Sequence, residues 1–244
     1  MDQLEEIKRK ISRAYDQALG PAYKKKIKKI VNQKFDGRFH QAEHDEEQTM
    51  REIFYKWFLG ARLVFDAGTG TGYYAIVLVK DFAVKKIFGC DIAKRRLKEA
   101  EKRKTLLPSS FRSSIRFEYG DFSDKFYLHS LLKTRGLFSH IVCKGCFDVY
   151  SPGAVRKIIN DLFYSLLEKN GVLLFTTLIN NRELIDYYEK SKFLKAYGQS
   201  LNESMGMIEK KKLTLLFSKT VGFNNFIVCQ KKGLETGGNN DSNA

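Results

Sequence analysis

The chain is short of acid, of cysteine, of proline and of long apolar runs. Of its 244 residues, 28 are Asp or Glu against 43 Lys or Arg, four are Cys and three are Pro. No stretch of about 18 apolar residues occurs, so no helix is expected to span a membrane. The opening residues Met1 to Glu6 are acidic and carry no apolar core, which argues against a signal peptide and for a cytoplasmic or nuclear compartment. The cysteines, at positions 90, 143, 146 and 229, are too few and too scattered for a disulfide framework. Cys143 and Cys146 share C-x-x-C spacing, but no second pair follows. Of the histidines only His40 and His44 stand one helical turn apart, within a polar, acid-rich stretch, so no metal site is expected. The 43% hydrophobic share is enough for a full core, and the length suits one large α/β domain.

Against these lacks stands one dense motif. Leu63, Val64 and Phe65 form an apolar run that ends in Asp66, and Gly68, Gly70 and Gly72 follow at alternate positions. Glycine tolerates positive φ and, having no Cβ, lets the backbone approach a flat, polar ligand. A dinucleotide fingerprint would read Gly-x-Gly-x-x-Gly. Here Tyr73 occupies the last of those positions, and the third glycine comes one residue early. Two more apolar runs end in acids. Ile87 to Cys90 leads to Asp91, about 20 residues beyond the loop, where a strand-end carboxylate can accept two hydrogen bonds from a ribose hydroxyl pair. Ile115 to Tyr119 leads to Gly120, Asp121 and Phe122. One strand-end Asp is commonly a helix cap or a turn former. Three in register, each closing a β-run, point to a ligand.

The Asp-x-Gly-x-Gly-x-Gly form resembles motif I of the class I S-adenosylmethionine-dependent methyltransferases. The resemblance implies S-adenosylmethionine as cofactor, with Asp66 near its methionine ammonium and Gly68, Gly70 and Gly72 facing it. It places Asp91 at the ribose with Ile92 beside it, Asp121 at the adenine amino group, and Phe122 against the adenine ring.

Element order agrees. Helices are expected over 2–19 and 22–34, split by Gly20 and Pro21, and over 45–59, where Met50, Ile53, Phe54, Trp57 and Phe58 recur at helical spacing. Strands at 62–66, 85–91, 114–119, 138–143 and 171–177 alternate with helices at 72–80, 93–104, 124–134, 152–168 and 181–193, which argues a parallel sheet covered on both faces. Two final β-runs, Leu213 to Phe217 and Phe223 to Cys229, are joined by a link too short for a parallel crossover, so they should pair antiparallel. The expected fold is a three-layer α/β/α Rossmann-like sheet, mostly parallel with a C-terminal antiparallel hairpin and preceded by N-terminal helices. Residues 1–60 would form a helical extension framing the substrate entrance, 61–231 the methyltransferase domain, and 232–244 a polar, glycine-rich, disordered tail.

Ligands of open α/β sheets bind outside the carboxyl ends of the strands, so the segment Val142 to Pro152 should face the transferred methyl. It has no Asn/Asp-Pro-Pro-aromatic motif of exocyclic amine methylation, no proline beside Cys143 or Cys146 for cytosine C5 chemistry, and no acid near Cys143 for ribose 2'-O methylation. Lys144-Gly145-x-x-Asp148 is similar to the Lys-Gly-Thr-x-Asp signature of the lysine methyltransferases of translation elongation factors. Asp91 to Ala93, Phe147 to Tyr150 and Thr176 to Ile185 resemble messenger-RNA cap guanine-N7 methyltransferases, whose motif I carries a Cys and a Lys-Gly-Gly-Asp run where Thr69, Thr71, Tyr73 and Tyr74 stand here. On either likeness Asp148 is the candidate base or positioning group, Tyr150 packs the acceptor, and Lys144 shapes the loop.

Charge favours one acceptor. The net +15 is clustered at Lys24 to Lys34 on the second expected helix and at Lys94, Arg95, Arg96, Lys98, Lys102, Arg103 and Lys104 after Asp91. Such clusters neutralise phosphates, whereas a basic elongation factor would be a poor electrostatic partner. RNA bound through the basic N-terminal helix and residues 94–104 is the expected acceptor, with cap-type guanine N7 as its leading atom. A protein lysine comes second, and a non-catalytic RNA-binding or activator subunit third.

Overall fold

The structure is a computed structural model that describes residues 38–192 and 195–233; the expected helices at 2–19 and 22–34, the first lysine cluster and residues 234–244 of the tail lie outside the described residues. Helix α1 (Arg38–Ile53) runs into a π-helical turn, Phe54–Phe58. There follow β1 (Val64–Ala67), α2 (Tyr73–Asp81), β2 (Ile87–Asp91), α3 (Lys94–Thr105), the short α4 (Ser109–Arg112) and β3 (Ile115–Tyr119). Then come α5 (Lys125–Arg135), β4 (Phe138–Cys143) and α6 (Pro152–Lys157), which continues helically to Leu166. The chain closes with β5 (Leu167–Leu178), α7 (Arg182–Lys192), α8 (Leu201–Met205), β6 (Leu213–Val221) and β7 (Asn224–Lys231).

The seven strands lie in the order β3-β2-β1-β4-β5-β7-β6. Pairing is parallel from β3 across to β5 and antiparallel for β5 with β7 and β7 with β6. Strands buried on both faces read as continuous apolar runs, and β1 and β2 are buried at every residue. Successive side chains of β1 part to opposite faces. Val64 joins Leu78 of α2 and Met50, Ile53, Phe54 and Phe58 of the α1 end, while Phe65 and Ala67 join Leu131 of α5 and Val155 and Phe163 of the α6 segment. The three layers follow, as expected. Residues 50–58 thus share one core with the sheet. The Phe54 ring meets Phe58, Tyr74 and Phe82 edge-on at 5.3, 5.9 and 5.5 Å, and burial of each such side chain stabilises by about 1.5–3 kcal/mol. No helix of the described residues is long and apolar enough to cross a membrane.

Several elements differ from expectation: helix α1 runs over Arg38–Ile53 and turns π-helical at Phe54 where a helix over 45–59 was expected, the short α4 was not expected, and three further differences have a local reason. Strand β5 begins at Leu167, not 171, because its pairing with β4 starts at Phe138 and resumes at His140 after a register shift, with Asn170 at φ 63°. Strand β6 runs on through Ser218, Lys219 and Thr220 to Val221; these polar residues belong to a sheet edge and leave only a tight turn with Gly222 at φ 56°. Helix α8 was not expected, although its capping box, Ser200 with Glu203, was present as a signal.

Candidate cofactor cleft and acceptor loop

Between β1 and β4 the strand order reverses, and the chain leaves both strands at their carboxyl ends, the place where open α/β sheets hold ligands. A cleft opens there. Gly68 comes to it from the end of β1, Asp91 and Ile92 from β2, and Asp121 and Phe122 from β3. Lys144, Cys146 and Tyr150 form the side that follows β4, and Arg96 of α3 reaches the rim. Asp66, Gly70, Gly72 and Asp148 are not on the wall of the cleft.

All three loop glycines have positive φ, 74°, 58° and 74°, but they are glycine for different reasons. A Cβ on Gly68 would overlap Cys146 Sγ and touch the Phe122 ring at 3.4 Å, so this residue faces the cleft. A Cβ on Gly70 would approach Arg96 Nη1 at 3.3 Å. At Gly72 a Cβ would meet Phe117 Cζ at 2.7 Å and Ala100 Cβ at 3.0 Å. That glycine lets the start of α2 pack on β3 and α3, and it is not part of the cleft lining. Tyr73 points away from the cleft, its hydroxyl donating to Glu47 of α1 at 3.0 Å.

The three acids are each held by a near neighbour. Asp66 is 4% exposed and accepts from the Thr69 hydroxyl at 2.6 Å. Burial pushes its carboxyl up to about 7; the Thr69 bond opposes the shift and the nearby Asp91 adds to it. Thr69, missed in the sequence, is therefore part of the loop's machinery. Asp91 accepts from Gly70 N at 2.8 Å with one oxygen and from Ala93 N at 2.7 Å with the other, tying the glycine loop to the start of α3. Asp121 accepts from the backbone and hydroxyl of Ser123 at 2.8 and 2.7 Å. Beside it the Phe122 ring lies 5.8 Å from Tyr150 and 6.2 Å from Phe147.

The side after β4 is assembled from distant residues. Lys144 Nζ donates to Glu46 Oε2 of α1 at 2.8 Å, and Gly145 N donates to the Thr176 hydroxyl at 2.9 Å. The Tyr150 phenol is pushed above its usual range by burial, so it stays protonated at neutral pH. Asp148 is 2% exposed, and its main-chain oxygen accepts from Tyr197 N at 2.7 Å. The Cys143 thiol is buried and raised well above its usual range, while Cys146 is half-buried at the cleft. Among the described residues no group of three or more His, Cys, Asp and Glu is placed to hold a metal ion.

On α3, Lys94, Lys98 and Lys102 are exposed at one-turn spacing, with Arg95 exposed beside them. Glu99 and Glu101 pair with Arg103 and Lys104 at 3.4 and 3.2 Å, so the acids of this helix serve its last turn.

The Phe122 and Tyr150 rings and the strand-end acids Asp91 and Asp121 fit the adenine and ribose parts of S-adenosylmethionine. The model of a family described as a methyltransferase domain matches residues 61–220. A search of the curated proteins finds no match. Among solved structures, the magnesium protoporphyrin IX methyltransferase of Synechocystis PCC 6803 with bound SAH is similar at TM-score 0.59 and 14% identity, over 79% of this chain and 84% of that one. An O-methyltransferase family protein of Burkholderia thailandensis gives 0.61 and 15%, over 77% and 57%. Human N-acetylserotonin methyltransferase in complex with SAM gives 0.53 and 16%, over 71% of this chain and 48% of that one. The chain thus spans about half the length of two of these three proteins. A family match over more than half of the residues settles the kinship: the chain belongs to the methyltransferase-domain family.

Proposed function

We propose that the protein transfers the methyl group of S-adenosylmethionine to RNA, at a base nitrogen of the cap-type guanine N7 kind. The observation that carries the acceptor is the cationic stripe of Lys94, Lys98 and Lys102 on α3, the helix whose Arg96 stands at the rim of the cleft. A polyanion laid along that stripe is held by phosphate contacts next to the site.

When bound, the cofactor supplies a methyl already activated on a sulfonium. The chain's own residues then bind and orient. Asp91 would hold the ribose hydroxyls, Asp121 the adenine amino group and Phe122 the ring, while Asp66, behind the wall, would hold the glycine loop through Thr69. Tyr150 packs the acceptor base. The Lys144 ammonium is engaged by Glu46, and Asp148 is buried off the wall. This arrangement suits an acceptor that carries its own lone pair and needs no base, so that proximity and orientation supply the rate.

Transfer of radiolabelled methyl into cell lysate tests the reading, with RNase in one arm and protease in another. Label lost to RNase is the expected result. Label that survives RNase and is lost to protease overturns it in favour of a protein acceptor, and cofactor binding without any transfer would identify a non-catalytic subunit.

A further inference from the structure

Glu46 sits on α1, ahead of the family match over residues 61–220, and is 7% exposed. Its Oε2 accepts from Lys144 Nζ at 2.8 Å, and its Oε1 accepts from Phe223 N and Asn224 Nδ2, each at 2.8 Å. One carboxylate therefore joins the first described helix, the loop after β4 and the turn of the β6–β7 hairpin. A buried ion pair keeps its geometry when further hydrogen bonds satisfy the charge, and here two neutral donors do so. The turn is shaped to the helix: a Cβ on Gly222, itself at φ 56°, would come within 2.7 Å of Glu46 Oε1 and 2.8 Å of Ala42 O.

We propose that Glu46 is a positioning residue for methyl transfer: through Lys144 it holds the loop after β4 against the cleft, so that α1 is a working part of the site. The proposal rests on the reading of the cleft as the cofactor site. The loop is fastened at three successive residues. Lys144 is held by Glu46, Gly145 N by the Thr176 hydroxyl, and Cys146 Sγ packs where Gly68 has no Cβ. Thr176 and Gly68 belong to the sheet and its glycine loop, whereas Glu46 comes from a helix that precedes the sheet in the chain. Release of that one fastening frees Lys144 and, two residues on, the Cys146 thiol.

Cys146 reports on the loop without any acceptor. Glu46→Gln keeps a carbonyl oxygen for the hairpin turn and removes the charge that holds Lys144. Alkylation by iodoacetamide, read cysteine by cysteine by mass spectrometry on the full chain, is expected to be about tenfold faster at Cys146 in this variant than in wild type, while Cys90, Cys143 and Cys229 stay protected; tenfold is about 1.4 kcal/mol of loop opening. S-adenosylhomocysteine should slow the labelling in both proteins and bind the variant several-fold more weakly. Should Glu46→Gln not fold, Lys144→Met cuts the same fastening and should accelerate Cys146 in the same way. An unchanged Cys146 rate overturns the proposal, and so does equal acceleration at all four cysteines, which would mean general loosening. If wild type binds no S-adenosylhomocysteine, the cofactor reading fails, and the Cys146 rates still decide whether Glu46 holds the loop.

Discussion

The two sides of the cleft are built by different means. On the side of β1, β2 and β3 each acid has a partner two or three residues away, Asp66 with Thr69, Asp91 with Ala93 and Asp121 with Ser123, and the longest reach is the 21 residues from Asp91 to Gly70. On the side after β4 the fastening contacts span 98 residues from Glu46 to Lys144 and 177 from Glu46 to Phe223. Local turns preorganise the first side as soon as the strands form. The second exists only when helix, loop and hairpin have assembled. Substitutions on the first side should therefore change ligand affinity or one local pKa, and those on the second should act through loop order.

The largest effect belongs to Asp66. Folded, its carboxyl holds a proton up to about pH 7, against 3.8 ordinarily. The native state thus binds more protons than the unfolded state between these values, and stability falls as pH rises through the window. At about 1.4 kcal/mol per unit this amounts to up to about 4 kcal/mol. Asp66→Asn cannot lose a proton, so denaturant unfolding should show it gaining on wild type from about pH 4 to pH 7. A constant difference would mean that Asp66 does not carry this proton.

Next comes a pair of glycines. Gly68→Ala sets a methyl against Cys146 Sγ in the cleft and should weaken S-adenosylhomocysteine binding roughly 100-fold, about 2.7 kcal/mol. Gly72→Ala meets Phe117 and Ala100 instead, and should lower stability by about 2–3 kcal/mol with affinity within about threefold. Equal losses of affinity would show that both glycines face the ligand after all. Asp91→Ala follows, with an expected cost of about 2 kcal/mol, or roughly 30-fold in affinity, by titration calorimetry. Unchanged binding would remove Asp91 from the ribose. The smallest effect belongs to a residue outside the cleft lining. Ser200→Ala breaks the α8 capping box and should cost about 1 kcal/mol of stability, read by thermal denaturation, while binding stays at the wild-type level.

The same division explains what the sequence disclosed. The first three parallel strands are short apolar runs that lead to acids, so the succession of strands and helices, the hairpin and the cleft residues Gly68, Asp91, Asp121 and Phe122 were legible from local pattern, whereas the order of the strands across the sheet was not. Gly72 was read with its neighbours because its spacing matches theirs, and only the packed Phe117 and Ala100 reveal its packing role. Asp148 was singled out from a short motif, and nothing in that motif shows the burial that places it off the wall. Glu46 stood in a polar stretch that reads as a solvated helix face. Its role arises from Lys144, Phe223 and Asn224, and no periodicity encodes partners so far away.

The central claim is that the crevice between β1 and β4 is an S-adenosylmethionine site. Isothermal titration of the full chain with S-adenosylhomocysteine tests it most directly. Binding of one molecule per chain, with a Kd of about 10 μM in wild type and a marked loss in Asp91→Ala, is the expected result. No measurable heat at about 1 mM ligand would contradict the claim.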